Sequence, residues 1–300
     1  MLRIIYRRKI FFIISIILFV AAVVCLSLWG LKLGIDFTGG TIAEYSFKDT
    51  RPEVTQVHEA FGKENIQDVQ VQPAGDKEIV LRTKSLSEEE HQQVLSVLKN
   101  SFGADQVVEN KFESIGPVVG NELKNKAITA LILASILIIL YIAFAFRKVS
   151  RPVASWKYGV GAVIALVHDL VIVTGIFSAL GHFLGYEIDM FFVTSLLTIL
   201  GYSVNDTIVV YDRTRENLFH SAGETFEDTV NRSINETIAR SINTGFATLM
   251  TLILLYFFGG ETIRIFVLSL ILGILFGTYS SIFVASPLLV VWQRLGGRKK

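Results

Sequence analysis

Residues 10–31 read IFFIISIILFVAAVVCLSLWGL, an unbroken apolar run with no charge in it. A helix rises 1.5 Å per residue, so about 20 apolar residues cover the roughly 30 Å of hydrocarbon in a bilayer. Arg3, Arg7, Arg8 and Lys9 precede the run, as they would in a secretory signal. The run is longer than the roughly 7–15 residues of a signal core, however, and no A-x-A-like cleavage site follows it. It reads as a retained anchor helix. Five further stretches share its character, at about 127–146, 158–180, 188–211, 241–258 and 263–292. The chain is expected to be an α-helical polytopic membrane protein with six transmembrane helices.

Composition agrees. Of 300 residues, 51% are hydrophobic and 18% charged, against about 25% charged in a soluble domain. Mean hydropathy is +0.52. A net charge of +1 supplies no basic field for nucleic acid. The single Cys25 excludes an internal disulfide and a zinc site built on paired cysteines. In the last span, Gly273 and Gly277 are spaced as a small-xxx-small pair that lets another helix approach closely. The other reading is that they only relax the helix.

Lys and Arg set the expected orientation. Besides the tail, they gather at Arg147, Lys148, Arg151 and Lys157, at Arg213, Arg215, Arg232 and Arg240, and at Arg294, Arg298, Lys299 and Lys300. The short loops at about 181–187 and 259–261 hold none. Both termini are therefore expected to be cytoplasmic, with the long segment after the first span outside. Glu187 and Asp189, at the outer end of span four, read as solvated.

The segment 34–126 is more polar and alternates helical with strand periods. TIAEYSF at 41–47 alternates as a strand, 52–61 carries Val54, Val57 and Phe61 at helical spacing, and 69–72 and 78–82 flank the turn residues PAGD. Ser87 followed by three glutamates is a helix start, and 106–113 alternates again. The order β-α-β-β-α-β predicts a small α+β ferredoxin-like extracytoplasmic domain between helices 1 and 2. Domain boundaries are then 1–33, 34–126 and 127–300. The superfold assigns no chemistry. His58 and His91 stand alone on their helices and read as surface residues; no metal cluster and no catalytic grouping emerges, so neither a metal, a cofactor nor an enzymatic activity is expected.

Ionisable groups inside a span cost at least about 2.5 kcal/mol and are functional candidates. Span four carries TSLLTILGYSVNDTIVVYDRTREN, with Asp206 several residues inward from the DRTRE cluster. Tyr202, Ser203, Asn205 and Thr207 surround it, and Tyr202, Ser203 and Asp206 share a face with Ile199 and Val210. Asp206 is either a reversible proton site or polar glue to a neighbouring helix. In span five, Arg240, Asn243, Thr244 and Thr248 fall near one face. Burial favours a neutral acid and a nearby guanidinium the ionised one, so Arg240 could help poise Asp206; the alternative is that it snorkels to the surface. His168 and Asp169 in span three are a second polar pair, pointing about 100° apart and so unable to face one partner together. They serve either a helix contact or a proton pathway.

Four motifs occur in order: GIDFTGG at 34–40, GYSVNDTIVVYDRTREN at 201–217, NRSINETIARSINT at 231–244 and FGTYSSIFVASPL at 276–288. Together they closely resemble the SecD/SecF family of bacterial protein-export membrane proteins, on its SecF side, over essentially the whole chain. That resemblance implies the resistance-nodulation-division superfamily, in which six helices with an outer domain between the first two form one pseudo-symmetric half. It implies a SecD-like partner half, the SecYEG channel and a translocating preprotein as partners, the cytoplasmic (inner) membrane as location, and proton flow as the drive. By the same comparison Asp206 matches the proton-carrying aspartate and Arg240 a functional arginine. Gly34, Asp36, Phe37, Gly39 and Gly40 match a motif at the root of the outer domain, which also reads as a glycine-permitted turn.

There is no GxxxxGK[ST] loop for ATP. The expected function is therefore a proton-motive-force-driven auxiliary subunit of protein export. Alternatives are a passive scaffold of the export channel, or half of a small-molecule or lipid exporter, for which a 90-residue outer domain is small. A membrane hydrolase is the weakest reading.

Overall fold

A computed structural model of the chain describes residues 2–64, 66, 68–146, 153–220 and 223–297. Arg147, Lys148, Arg151, Arg298, Lys299 and Lys300 from the charge pattern lie outside them. The chain divides into two compact units, residues 33–127 and the remainder.

In the small unit, the short turn of helix α2 (Ile35–Thr38) leads into β1 (Gly40–Phe47), α3 (Val54–Lys63), β2 (Gln70–Ala74), β3 (Glu78–Thr83), α4 (Glu88–Phe102) and β4 (Val107–Ile115). The strands form one antiparallel sheet in the order β2-β3-β1-β4, the ferredoxin-like arrangement expected from the element order. Alternation places Ala43, Tyr45, Phe47, Ile79 and Leu81 on one face, where Val57, Phe61, Val94 and Leu98 from the two helices close the core. α4 begins as the serine predicted: Ser87 N donates to Glu90 Oε2 at 2.8 Å and Glu90 N to Ser87 Oγ at 3.3 Å, satisfying two of the helix's free ends. His58 is exposed, but His91 is 7% exposed, so the surface reading is corrected there. Its Nε2 lies 2.7 Å from Glu109 Oε2 and its ring stacks on Phe112 at 3.7 Å. A helical period shows which side faces the sheet, not that a strand carboxylate waits opposite. Burial, with Glu109 beside it, holds the Tyr45 phenol above its ordinary range.

The Gly39–Gly40 pair has a stricter role than a flexible turn. Both have positive φ, +74° and +126°. A Cβ on Gly39 would lie 2.7 Å from Pro117 Cα, and one on Gly120 would lie 2.9 Å from Gly39 N. The motif thus packs backbone to backbone against the start of α5 (Pro117–Ala145).

In the membrane unit, helices α1 (Arg8–Trp29), α5, α6 (Ser155–Leu184), α7 (Met190–His220), α8 (Phe226–Phe258) and α9 (Glu261–Ser280) continuing into α10 (Ser286–Gly297) provide six candidate spans among the described residues. α7 and α8 are longer than their apolar stretches and carry the DRTRE and NRSINETIAR segments as helix. A π turn, Ser281–Ala285, joins α9 to α10; the wider turn breaks the i to i−4 ladder. Side chains meet the freed groups: Tyr211 Oη donates to Ala285 O at 3.1 Å and Ser286 Oγ to Ser281 O at 2.9 Å.

Small residues decide which helices touch. A Cβ on Gly175 of α6 would lie 2.4 Å from Ala22 Cβ of α1. α9 lies along α7 in a ladder of one residue per turn: Ser269 donates to Ser195, Gly273 lies under Ile199 and Gly277 under Ser203. The close-approach reading of Gly273 and Gly277 holds. At one end of the bundle the N-terminal segment is strapped to α8. Leu2 N donates to Asn235 Oδ1 at 2.6 Å, Ile5 N to Asn231 Oδ1 at 3.2 Å, and Arg8 and Arg294 both pair with Glu227. Glu187 and Asp189 are not simply solvated: Glu187 pairs with Lys32 at 3.2 Å, and Asp189 Oδ1 accepts from Phe192 N at 2.8 Å, capping α7.

Two glycine substitutions are expected to differ in sign. Gly39→Ala should lower the thermal stability of the detergent-purified chain by about 2 kcal/mol or more, because of its positive φ and the Pro117 backbone. Gly62→Ala, at an exposed position on α3 with open space around it, should be neutral or raise it by up to about 1 kcal/mol. Within the bundle, a Cβ at residue 273 would lie 2.1 Å from Ile199 Cγ1. Gly273→Ala should therefore cost about 1–3 kcal/mol, and Ile199→Ala added to it should recover part of the loss; additive losses in the same melting experiment would refute the contact.

Candidate functional site

Because α9 is seated on α7, the residues that follow Gly277 meet the polar stretch of α7. Asp206 is 5% exposed and turned inward. Ser241 of α8 and Thr278 of α9 are its neighbours, and Tyr202, one turn back, faces the same Thr278. Four side-chain oxygens gather here: Asp206 Oδ2, Tyr202 Oη, Ser241 Oγ and Thr278 Oγ1. All are buried, and none has a well-formed hydrogen bond. Gly245 keeps the place open, since a Cβ there would lie 3.2 Å from Thr278 Oγ1 and 3.3 Å from Tyr202 Oη. A buried polar atom left unbonded costs about 1–3 kcal/mol, and folded proteins tolerate few. Here the three hydroxyls stand beside one carboxyl, so a proton at Asp206 has ready partners.

Arg240 is the cation whose field reaches Asp206. It lines a cleft of about 390 Å³ between α7 and α8, together with Ile208, Asp212, Glu216, Glu236 and Thr237. Charged pairs brace that cleft: Arg213 Nε donates to Glu236 Oε2 and Arg213 Nη1 to Glu216 Oε2, both at 2.6 Å. Arg240, Asn243 and Thr244 do share a side of α8, but that side is exposed in this chain and Thr248 is half-buried. The inward side carries Thr237, Ser241 and Gly245 instead. Spacing groups residues on a helix without saying which group faces in. Asn205 is exposed as well, while Thr207 is buried and donates to Ser203 O at 3.1 Å.

Ser203 does not face Asp206's cluster. Its hydroxyl donates to Asp169 Oδ2 at 2.7 Å, and Ser280 Oγ donates to the same oxygen at 2.7 Å. Asp169 is 0% exposed and joins α6, α7 and α9. His168 Nδ1 lies 3.0 Å from Asp169 Oδ1. The two face different elements, Asp169 the serines of α7 and α9 and His168 Phe19 of α1, and rotation about the side-chain bonds also brings the imidazole to the carboxylate. Ser241, Gly245, Thr278 and Ser280 went unnoticed in the sequence; Thr278 and Ser280 lie inside the FGTYSSIFVASPL motif, but a hydroxyl amid apolar residues has no pattern of its own. Among the described residues, no group of three or more His, Cys, Asp or Glu side chains could hold a metal ion.

Known proteins are similar to this chain. Residues 93–295 match the family described as protein export membrane protein SecD/SecF, C-terminal, and residues 30–50 match the SecD/SecF GG motif. The chain is 44% identical to a protein translocase subunit SecF of Thermobaculum terrenum, covering 98% of this chain and 94% of that one. It is 37% identical to a SecF of Anaerolinea thermophila at the same coverage. It is also similar to a crystal structure of SecDF, a translocon-associated membrane protein from Thermus thermophilus, with 32% identity and a TM-score of 0.80. That match covers 97% of this chain and 38% of the longer SecDF chain. Six apolar helices, the glycine pair packed at the root of the small domain and these likenesses agree, and the chain is a multi-pass membrane protein belonging to the SecD/SecF protein-export family.

Proposed function

We propose that the chain is a proton-driven auxiliary subunit of the Sec export machinery, working beside a SecD-type half, with Asp206 as its proton-carrying group. The observation that carries this reading is the buried Asp206 carboxyl with the hydroxyls of Tyr202, Ser241 and Thr278 gathered beside it, next to a charged cleft that runs up to Arg240. An acid in such a place can take a proton from one side and lose it to another when the helices around it move. One charge crossing the membrane field is worth about 2.3 kcal/mol per 100 mV, and each pH unit adds about 1.4 kcal/mol. A few kcal/mol per proton is enough to bias a two-state movement.

A partner half is supported by the outer face of α8. Ile242, Phe246 and Leu254 are exposed there beside Asn243 and Thr244, and amide or hydroxyl groups in a span favour a protein neighbour over lipid. The distribution of Lys and Arg supports cytoplasmic termini in the bacterial inner membrane, with residues 33–127 on the far side, where the SecYEG channel releases a preprotein. The chain acts by conformational change and not as an enzyme.

The test is preprotein translocation into vesicles carrying both halves, at matched protein levels. Asp206→Asn should abolish the part that depends on the proton gradient and leave the remainder. Full retention in that variant would favour a passive scaffold and make Asp206 polar glue.

A further inference from the structure

We propose that Asp169 is a second proton-binding group of the bundle, loaded through His168, and that its charge sets the direction of the Ser280 hydroxyl. Asp169 lies fully buried where α6, α7 and α9 meet. As a carboxylate it is complete: Oδ2 accepts from Ser203 and Ser280, and Oδ1 from His168 Nδ1–H. A site built only to hold a permanent charge needs donors with nowhere else to turn. Ser280 has somewhere else, since its Oγ is also 3.2 Å from Gly277 O. A site built only for a neutral acid does not need two hydroxyls on one oxygen. The contacts of the carboxyl group itself are satisfied in both protonation states, which is what a group that changes state requires.

His168 provides the way in. It is 6% exposed, its ring lies beside Phe19, and its Nε2 is buried with no partner. A proton taken up at Nε2 allows the Nδ1 proton to pass to Asp169 Oδ1. The imidazole ends neutral with the proton on Nε2, Nδ1 now accepts from Oδ1–H, and Asp169 has lost its charge. Oδ2 is then a weaker acceptor for two donors, and the Ser280 hydroxyl turns to the Gly277 carbonyl. Among the described residues, His168 is the titratable group that faces Asp169 from α6; α7 and α9 face it with Ser203 and Ser280. Asp206, with Arg240 bearing on it, lies one turn along α7 from Ser203.

The inference deepens the proton-coupled reading, because Ser203 and Ser280 sit on the two helices that also carry Asp206 and Thr278. Ser280 is moreover the last residue before the π turn. Loss of charge at Asp169 loosens α9 from α6 at that junction.

The experiment is pH-difference infrared spectroscopy of the full chain in lipid vesicles, reading the stretch of the protonated carboxyl. We expect a titrating band that vanishes in Asp169→Asn and persists in Asp206→Asn. Ser203→Ala, which removes one oxygen and one donor to the charged form, should raise the midpoint of that band by about 1–2 pH units. His168→Phe should slow its appearance after a pH jump. If no titrating band is lost in Asp169→Asn, Asp169 is a fixed structural pin and the proposal fails. If Asp169→Asn does not fold, an unmoved midpoint in Ser203→Ala overturns it equally. None of these spectra depends on translocation, so failure here is separate from failure of the Asp206 reading.

Discussion

Lipid chains are as apolar as leucine, so two helices in a bilayer gain little by hiding apolar side chains from it; they associate where backbones come close and polar groups pair. The line Ser269, Gly273, Gly277 on α9, set against Ser195, Ile199 and Ser203 on α7, supplies that closeness. Both buried carboxylate sites follow from it. With Gly277 pressed on Ser203, the next turn of α9 must place Thr278 beside Tyr202 and Asp206 on one side and Ser280 beside Asp169 on another. A bulky side chain in this line would separate both carboxylates from their hydroxyls.

The same need to satisfy polar groups explains the local irregularities. The π turn at Ser281–Ala285 frees backbone carbonyls in a region without water, and Tyr211 and Ser286 occupy them. At one end of the bundle, Asn231 and Asn235 hold the backbone of the N-terminal segment, while Glu227 joins Arg8 to Arg294. Those contacts bind the ends of α1, α8 and α10 to one another. They also give the NRSINETIAR segment a structural task besides carrying Arg240.

The two carboxylates are environments of different kinds. Asp169 holds three well-formed hydrogen bonds, whereas Asp206 faces the hydroxyls of Ser241 and Thr278 in looser geometry. In the proposed mechanism the first keeps helices in register according to its charge, and the second exchanges with the cleft beside Arg240. Ser203, which donates to Asp169, and Asp206 lie one helical turn apart on α7, so a shift of α7 moves both sites together.

Much of this protein was legible in its residues alone. Apolar runs long enough to span a bilayer have one stable outcome, because an unpaired backbone in hydrocarbon is too costly; the βαββαβ domain followed from period and turn residues, and the glycine pair from its motif. Asp206 stood out because a charge in an apolar run is rare. What only the tertiary structure decided is which side of each helix faces in: it turned Ser241 and Gly245 inward and left Arg240, Asn243 and Thr244 outward, brought His91 to Glu109, and folded His168 back onto Asp169. Helical spacing fixes the angles between side chains on one cylinder, whereas the rotation of that cylinder about its axis is set by where its neighbours' small residues let them come close.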